Sequence, residues 1–304
     1  MHGQCRILVS KAVPALLLAV LSACSPEIAR TTSTNEAVQR STTTAGTSTT
    51  STTSLATSTS SQVLVLGDWG SGTSSQRSIA DAMARHAATH EIDAILTTGD
   101  NFYSDDADLL MEPLGWAVEG DIPFWITWGN HDRETNTRID AVDDSFGSPP
   151  RWAVFEWGTV DVIVLDSNQV DSDDQREFLM DALADTDDPT IVVFHHPALS
   201  CGSYRDSQPI LDQWVPLFDD DVFLVLSGHD HNYQRFEHDG VIYVVSGGGG
   251  QSLYEIGECD VDHPELLGGK TVHHFLVLDQ TDGVTVTALD VNGNVIDEVD
   301  LALP

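Results

Sequence analysis

Residues 63–70 read VLVLGDWG, a run of four apolar residues that ends in an aspartate between glycine and tryptophan. A short apolar run bounded by turn residues is typical of a buried strand. Residues 92–100, IDAILTTGD, have the same form and also end in Gly-Asp. Between the two runs, residues 75–90 place apolar side chains at the spacing of one helix face. The stretch therefore predicts two strands separated by a helix, each strand ending in a carboxylate.

Similar apolar runs continue along the chain. We interpret as strands residues 122–128, 160–165, 191–194, 222–226, 241–245, 275–278, 284–289 and 295–299. A second helix is predicted over residues 174–184. Strands alternate with helices at first and then follow one another alone, which predicts an α/β layered fold with mixed sheets.

Many of the runs end in side chains that can bind metal. Asp68, Asp100, Asn130, His195 and His229 each follow an apolar run within a few residues. In open α/β sheets, ligands bind at the carboxyl ends of the strands. Taken singly, each residue has a simpler interpretation, because an aspartate after a strand is usually a turn former or a helix N-cap.

As a set, these residues have a more specific chemistry. Two carboxylates, an amide, several imidazoles and the phenol of Tyr103 combine hard oxygen ligands with borderline nitrogen ligands. This mixture suits two first-row metal ions a few ångströms apart, an arrangement used for phosphoryl transfer. The sequence contains no GxxxxGK[ST] loop, no GxSxG turn and no cysteine-rich zinc pattern.

The charge of the chain excludes one class of partner. Among 304 residues, 13 are Lys or Arg and 48 are Asp or Glu, giving a formal net charge of −35. Binding to a nucleic-acid backbone requires clustered Lys and Arg, so we expect no nucleic-acid partner. With so few cationic side chains, metal ions are also the natural source of positive charge for a phosphate.

The motifs GDWG, GDNFY, GNHD, VVFHH and GHDH, in this order over residues 63–250, resemble those of the calcineurin-like metallophosphoesterases. The tyrosine of GDNFY narrows the resemblance to the purple acid phosphatase branch, in its short single-domain form. Residues 246–255, SGGGGQSLYE, also resemble the segment that follows that family's last metal ligands. The resemblance implies a four-layer α/β/β/α sandwich of two mixed sheets flanked by helices, with the active site at the strand ends.

The resemblance further implies two metal sites. A ferric ion would be held by Asp68, Tyr103 and His231, and Asp100 would bridge it to the second ion. Phenolate and carboxylate are hard anionic donors, so a trivalent ion beside Tyr103 also agrees with their chemistry.

The second ion would be divalent iron, zinc or manganese, held by Asn130, His195 and His229. Metal-bound hydroxide would attack the phosphorus of a phosphomonoester in line, because metal binding lowers the pKa of water towards neutral. His131 would donate to the phosphate or to the leaving oxygen, and Asp132 would orient His131. The expected partner is a small phosphate ester.

The sequence departs from the family in one place. Relatives often carry a further histidine near a Gly-Ser step, whereas here Gly202-Ser203 is followed by Tyr204. Either Tyr204 or the adjacent His196 could take its place. Two alternatives to a phosphomonoesterase stay open: a phosphodiesterase or nucleotidase on the same scaffold, and a non-catalytic metal- or phosphate-binding surface lipoprotein. The second is disfavoured because every expected ligand is present.

The amino-terminal part predicts export. Residues 1–23 read as a lipoprotein signal peptide, in which a ten-residue apolar run precedes the lipobox Leu-Ser-Ala-Cys ending at Cys24. Residues 24–61 would form a lipidated cysteine and a disordered tether, since residues 31–61 contain 21 Ser or Thr. An ordinary secretory signal, and hence a secreted protein, is the alternative. The folded domain would cover residues 62–304.

Two cysteines remain in that domain, Cys201 and Cys259. An even pair outside the cytoplasm suggests a disulfide, and two free buried thiols are the alternative.

Overall fold

Two β-sheets packed face to face form the centre of the structure, a computed structural model that describes residues 61–186 and 188–304. Thirteen strands occur in these residues, named in chain order: β1 Ser61–Leu66, β2 Ile92–Thr97, β3 Phe124–Trp125, β4 Ala153–Trp157, β5 Val160–Val164, β6 Thr190–Val193, β7 Val222–Ser227, β8 Tyr233–His238, β9 Val241–Ser246, β10 Gly268–Lys270, β11 His274–Gln280, β12 Val284–Asp290 and β13 Val295–Leu301. The predicted signal peptide, Cys24 and nearly all of the predicted tether lie outside the described residues.

Both sheets are mixed. The first has the order β13-β12-β11-β1-β2-β3, in which β1, β2 and β3 are parallel and the other pairs are antiparallel. The second has the order β10-β8-β9-β7-β6-β5-β4, in which β9, β7, β6 and β5 form the parallel part. Antiparallel edges on a parallel centre are common in large α/β sheets.

Helices cover the outer face of each sheet. In the described residues they are α1 Ser74–Ala87, α2 Ala107–Met111, α3 Gly115–Glu119, α4 Asn136–Phe146, α5 Asp173–Asp185 and α6 Gln208–Gln213. The three longest begin at capping side chains, because Thr73, Thr135 and Ser172 accept a hydrogen bond from an N–H of the first turn. In the part of the chain that the structure describes, no helix has the length and apolar character needed to cross a membrane.

Three hydrophobic cores separate the layers. The central core lies between the sheets and includes Val65, Leu96, Val193 and Leu226. A second core packs the first sheet against α1 to α4, and a third packs the second sheet against α5 and α6. These layers confirm the predicted α/β/β/α sandwich of two mixed sheets flanked by helices.

The third predicted strand is shorter than expected. Residues 122–128 were expected to be a strand, but β3 contains only Phe124 and Trp125. Beyond it, Thr127 bonds to side chains instead of to the backbone of the neighbouring strand β2. Its N–H donates to Thr97 Oγ1 (3.0 Å), and its carbonyl accepts from Asn101 Nδ2 (2.9 Å). The chain thus leaves the sheet early and turns towards the strand ends.

The parallel strands end at one level. Leu66 of β1 lies opposite Thr97 of β2, and Val193 of β6 lies opposite Leu226 of β7. The residues that follow each strand therefore leave the two sheets along a common edge, where the candidate site lies.

Candidate metal centre

The turns after the strands hold strained backbone. Asp68, Asp100 and His229 have φ values of 55°, 51° and 68°, in the left-handed region that residues other than glycine seldom adopt. Such residues cost of order 1–3 kcal/mol each and cluster at functional sites. Two hydrogen bonds stabilise these turns: Asp68 N–H donates to Gly99 O (3.0 Å), and His229 N–H donates to Asp68 Oδ2 (2.9 Å).

Close packing of the turns leaves no room for a side chain at several glycines, of which Gly99 is one. Gly99 has a φ of 95°, and a Cβ atom there would lie 2.6 Å from Nδ1 of His195. Glycine at this position therefore lets the β2 turn approach the histidine that follows β6.

Three of the predicted ligands form one group of donor atoms. Tyr103 Oη lies 3.0 Å from Asp68 Oδ1 and 3.1 Å from His231 Nε2, and His231 Nε2 lies 3.4 Å from Asp68 Oδ1. The other ring nitrogen of His231, Nδ1, contacts Ser252 O at 2.6 Å. This contact orients the ring so that Nε2 faces the group.

The other predicted ligands form a second group around His195. Its Nε2 lies 3.1 Å from Asn130 Oδ1, 3.2 Å from His229 Nδ1 and 3.4 Å from Asp100 Oδ1. Its Nδ1 contacts Thr98 O at 2.9 Å, which again leaves Nε2 for the group. Asp100 also interacts with Tyr103, so it adjoins both groups.

These two groups fit metal ions. Around an ion with bonds of about 2.1 Å, neighbouring ligand atoms lie about 3.0 Å apart in octahedral and about 3.4 Å in tetrahedral geometry. The measured separations of 3.0–3.4 Å span the same interval. Asp68, Asp100 and His195 are almost completely buried, and a buried charge is costly unless it is paired or coordinates a metal. The donor set and its burial therefore suit cations.

The histidines differ in their charge in the metal-free chain. Burial alone would lower the pKa of His195, but the carboxylates of Asp100 and Asp68 raise it to about 10. Burial and then the charge of His195 lower the pKa of His229 to about 2. A metal ion would have to replace the proton of His195, because only an unprotonated nitrogen binds metal.

His131 lies beside both groups but outside them. Its N–H donates to Asp100 Oδ1 (2.8 Å), its ring centroid is 4.5 Å from that of Tyr103, and 37% of its side chain is exposed. Its Nδ1 lies 3.2 Å from Glu134 Oε2. The imidazole is therefore partly accessible to solvent beside the two donor groups.

Asp132 differs from its predicted role of orienting His131. Its carboxylate is buried and accepts from Gly129 N–H (2.8 Å), Phe102 N–H (2.9 Å) and Asn101 Nδ2 (2.8 Å). It therefore ties the GDNFY turn to the GNHD turn, and Glu134 is the carboxylate that contacts the His131 ring. Sequence reasoning missed Glu134, although a carboxylate three residues after His131 on a helical turn was a readable signal.

Both candidates for the missing histidine lie at the site. The ring of Tyr204 is 4.0 Å from that of His229, and the ring of His196 is 4.5 Å from it. His196 Nδ1 contacts Ser167 Oγ at 2.8 Å, and burial followed by the charge of His195 lowers its pKa to about 3.

Two further features belong to loops that are hydrogen-bonded to the GHDH turn. Cys201 and Cys259 are joined by a disulfide. Tyr254 stacks on His231, with ring centroids 4.1 Å apart. Sequence reasoning missed Tyr254 as a separate residue, although it lies within the SGGGGQSLYE segment.

The chain is similar in sequence to a known family of phosphoesterases. A family model described as calcineurin-like phosphoesterase matches residues 61–233. Purple acid phosphatase 7 of Arabidopsis thaliana is 25% identical over 273 residues, which cover 77% of this chain and 83% of the plant protein. Tartrate-resistant acid phosphatase type 5 of Mus musculus is 27% identical over 237 residues, 61% of this chain and 71% of the mouse protein.

Two solved structures share the fold. GAP50, the anchor in the inner membrane complex of Plasmodium, matches with a TM-score of 0.69 at 20% identity, covering 81% of this chain and 89% of GAP50. The purple acid phosphatase PPD1 from yellow lupin (Lupinus luteus) matches with a TM-score of 0.66 at 16% identity, covering 80% of this chain and 54% of the lupin chain. The family model and the relatives lead to one conclusion: the chain belongs to the calcineurin-like phosphoesterase family and is a metal-dependent phosphoester hydrolase of the purple acid phosphatase type.

Proposed function

We propose that the chain is a phosphomonoesterase with two metal ions that meet at Asp100. The observation that carries this proposal is the pair of donor groups, in which neighbouring donor atoms lie 3.0–3.4 Å apart. One group contains the phenol of Tyr103, and the other contains the amide of Asn130. The group with Tyr103 suits a ferric ion, and the group with Asn130 suits divalent iron, zinc or manganese. When bound, such ions activate water and neutralise phosphate charge.

The residues of the chain would divide the remaining work. His131 would donate a proton or a hydrogen bond to the phosphate or to the leaving oxygen. Glu134 contacts its Nδ1, so Nε2 would be the nitrogen left to donate to the ester. Asp132 joins the GDNFY turn to the GNHD turn through hydrogen bonds, and so acts as a positioning residue.

A binding protein without activity is a second candidate, since GAP50 is described as an anchor on the same fold. Likeness at 20% identity concerns the fold alone. Both donor groups and a partly exposed His131 are present here, and they favour the enzyme. A phosphodiesterase or nucleotidase would use the same groups.

The full chain, loaded with iron and zinc, tests the proposal through metal content and phosphate release. We expect close to two ions per chain and hydrolysis of monoesters faster than of diesters. Asp100→Asn should lose metal and activity together. His238→Ala, on a partly exposed histidine of β8, is the control and should keep both. Activity without metal, or metal without any hydrolysis, would contradict the proposal.

We further propose that the protein is exported and anchored through lipid on Cys24. The support is the lipobox at residues 21–24 after an apolar run of signal length, followed by a Ser/Thr-rich stretch. As a flexible coil, residues 25–61 would span about 35 Å. In the native host, Cys24→Ser should block maturation or release the enzyme from the membrane. A Cys24→Ser variant that stays membrane-bound with the same processed amino terminus as wild type would refute anchoring through Cys24.

A further inference from the structure

Two tyrosines cover metal ligands on one side of the site. The Tyr204 ring lies 4.0 Å from that of His229, at an interplanar angle of 37°. The Tyr254 ring lies 4.1 Å from that of His231 and is nearly parallel to it, at 14°. The two tyrosine rings are 5.8 Å apart and meet edge to face. We call Tyr204 and Tyr254 the tyrosine wall.

The wall is held firmly although it stands on two loops. The disulfide between Cys201 and Cys259 joins these loops, and Gly257 N–H donates to Cys201 O (2.8 Å) beside it. Tyr254 N–H donates to His231 O (3.0 Å). Tyr204 N–H donates to the buried Asp230 carboxylate (3.3 Å). The backbone under both rings is therefore tied to the GHDH turn that carries the ligands.

Core packing does not account for these rings. Tyr204 is 53% exposed, and Tyr254 is only partly buried. An aromatic ring that rests on a ligand imidazole and also faces solvent borders the space where an ester would bind. His131 lies beside Tyr103, which belongs to the same donor group as His231.

The chemistry of the wall selects a type of leaving group. Residues 62–304 carry 46 carboxylates, which disfavour a further anion, whereas the tyrosine rings are uncharged. Aromatic rings attract other rings in offset or edge-to-face contacts, beyond what apolar area alone supplies.

We propose that the tyrosine wall contacts the leaving group and selects phosphate esters with an uncharged aromatic ring near the ester oxygen. This inference rests on the proposed phosphomonoesterase function. The reaction is ordinary hydrolysis: the ester bond from phosphorus to the leaving oxygen breaks, water supplies the new oxygen on phosphorus, and the leaving oxygen takes a proton. The wall holds the ring of the leaving alcohol and takes no part in the bond changes.

The test compares benzyl phosphate with cyclohexylmethyl phosphate. Both are esters of primary alcohols with a six-membered ring one carbon from the oxygen, so they differ chiefly in aromaticity. For the metal-loaded full chain we expect kcat/KM to favour the benzyl ester about 2- to 10-fold, the range of a ring contact. Tyr204→Leu should lower the ratio towards one, mainly through KM, because only Tyr254 of the wall remains, and Tyr204→Phe should keep the wild-type ratio.

The outcomes separate the wall from the function beneath it. If wild type hydrolyses both esters at equal kcat/KM, the proposed role of the tyrosine wall is refuted, and the proposed phosphomonoesterase function is retained. If neither these esters nor other monoesters are hydrolysed, the proposed function is refuted, and so is the role of the tyrosine wall that rests on it. If Tyr204→Leu loses metal, the proposal is tested by the kcat/KM ratio of the two esters in wild type and in Tyr204→Phe. A tyrosine with a purely structural role predicts no preference for the aromatic ester in either protein.

Discussion

Removal of the disulfide between Cys201 and Cys259 is the most quantitative test of how the site is supported. The two residues are 58 positions apart. Opening a loop of that length raises the entropy of the unfolded chain, and the loop-entropy relation gives about 4 kcal/mol at 25 °C. We expect the Cys201→Ser, Cys259→Ser double variant to lose about this much free energy of unfolding.

Urea denaturation of the metal-free full chain, followed by tryptophan fluorescence, measures the change. The midpoint should fall, and the slope of the free energy against urea should rise because the unfolded chain becomes more extended. Wild type treated with reductant should behave like the double variant, which controls for the serine side chains.

The loops also hold the tyrosine wall, so loss of the bond should raise KM for benzyl phosphate. Metal content should change little, because strand-end turns hold the ligands. A stability loss below about 1 kcal/mol, with both cysteines alkylated in untreated wild type, would show that the bond does not form and would refute the reasoning.

Three further predictions concern the metal centre. His131→Ala should lower turnover by about 10²- to 10⁴-fold at unchanged metal content, and metal loss would instead make His131 a ligand. Tyr103→Phe should remove the visible charge-transfer band of the iron-loaded chain, and a band unaffected by the change would refute Tyr103 as a ligand. Metal binding should weaken at least about tenfold for each pH unit lowered below about 10, because Asp100 keeps His195 protonated until an ion displaces the proton. Titration calorimetry at several pH values measures the last effect, and an affinity that does not vary with pH would contradict it.

Local patterns predicted ten of the thirteen strands in the described residues, because a short apolar run between turn residues is typical of a buried strand. They missed β4, β8 and β10. The strand at residues 122–128 shows the limit of that reasoning. Its apolar pattern continues to Trp128, but Thr127 finds its hydrogen-bond partners in Thr97 and Asn101. The strand ends early because these hydrogen-bond partners lie some 30 residues away along the chain, and a local sequence pattern carries no information about them.

The types of site residue could likewise be predicted from sequence, since carboxylate, imidazole, amide and phenol at strand ends define a metal-binding chemistry. Their grouping required the resemblance to a family. Tyr103 and His231 are 128 positions apart, and only the packing of two sheets brings their side chains within 3.1 Å.

Tertiary structure alone decided what supports the ligands. Adjacent residues in a tight turn point in different directions, so Asp132 holds the backbone of two turns while Glu134 meets the His131 ring. Tyr254 reached His231 because the loop after β9 folds back over the ligand turn. The sequence by itself determined which donors are present. The tertiary fold decided which face each other, because side-chain direction depends on contacts between segments far apart in the chain.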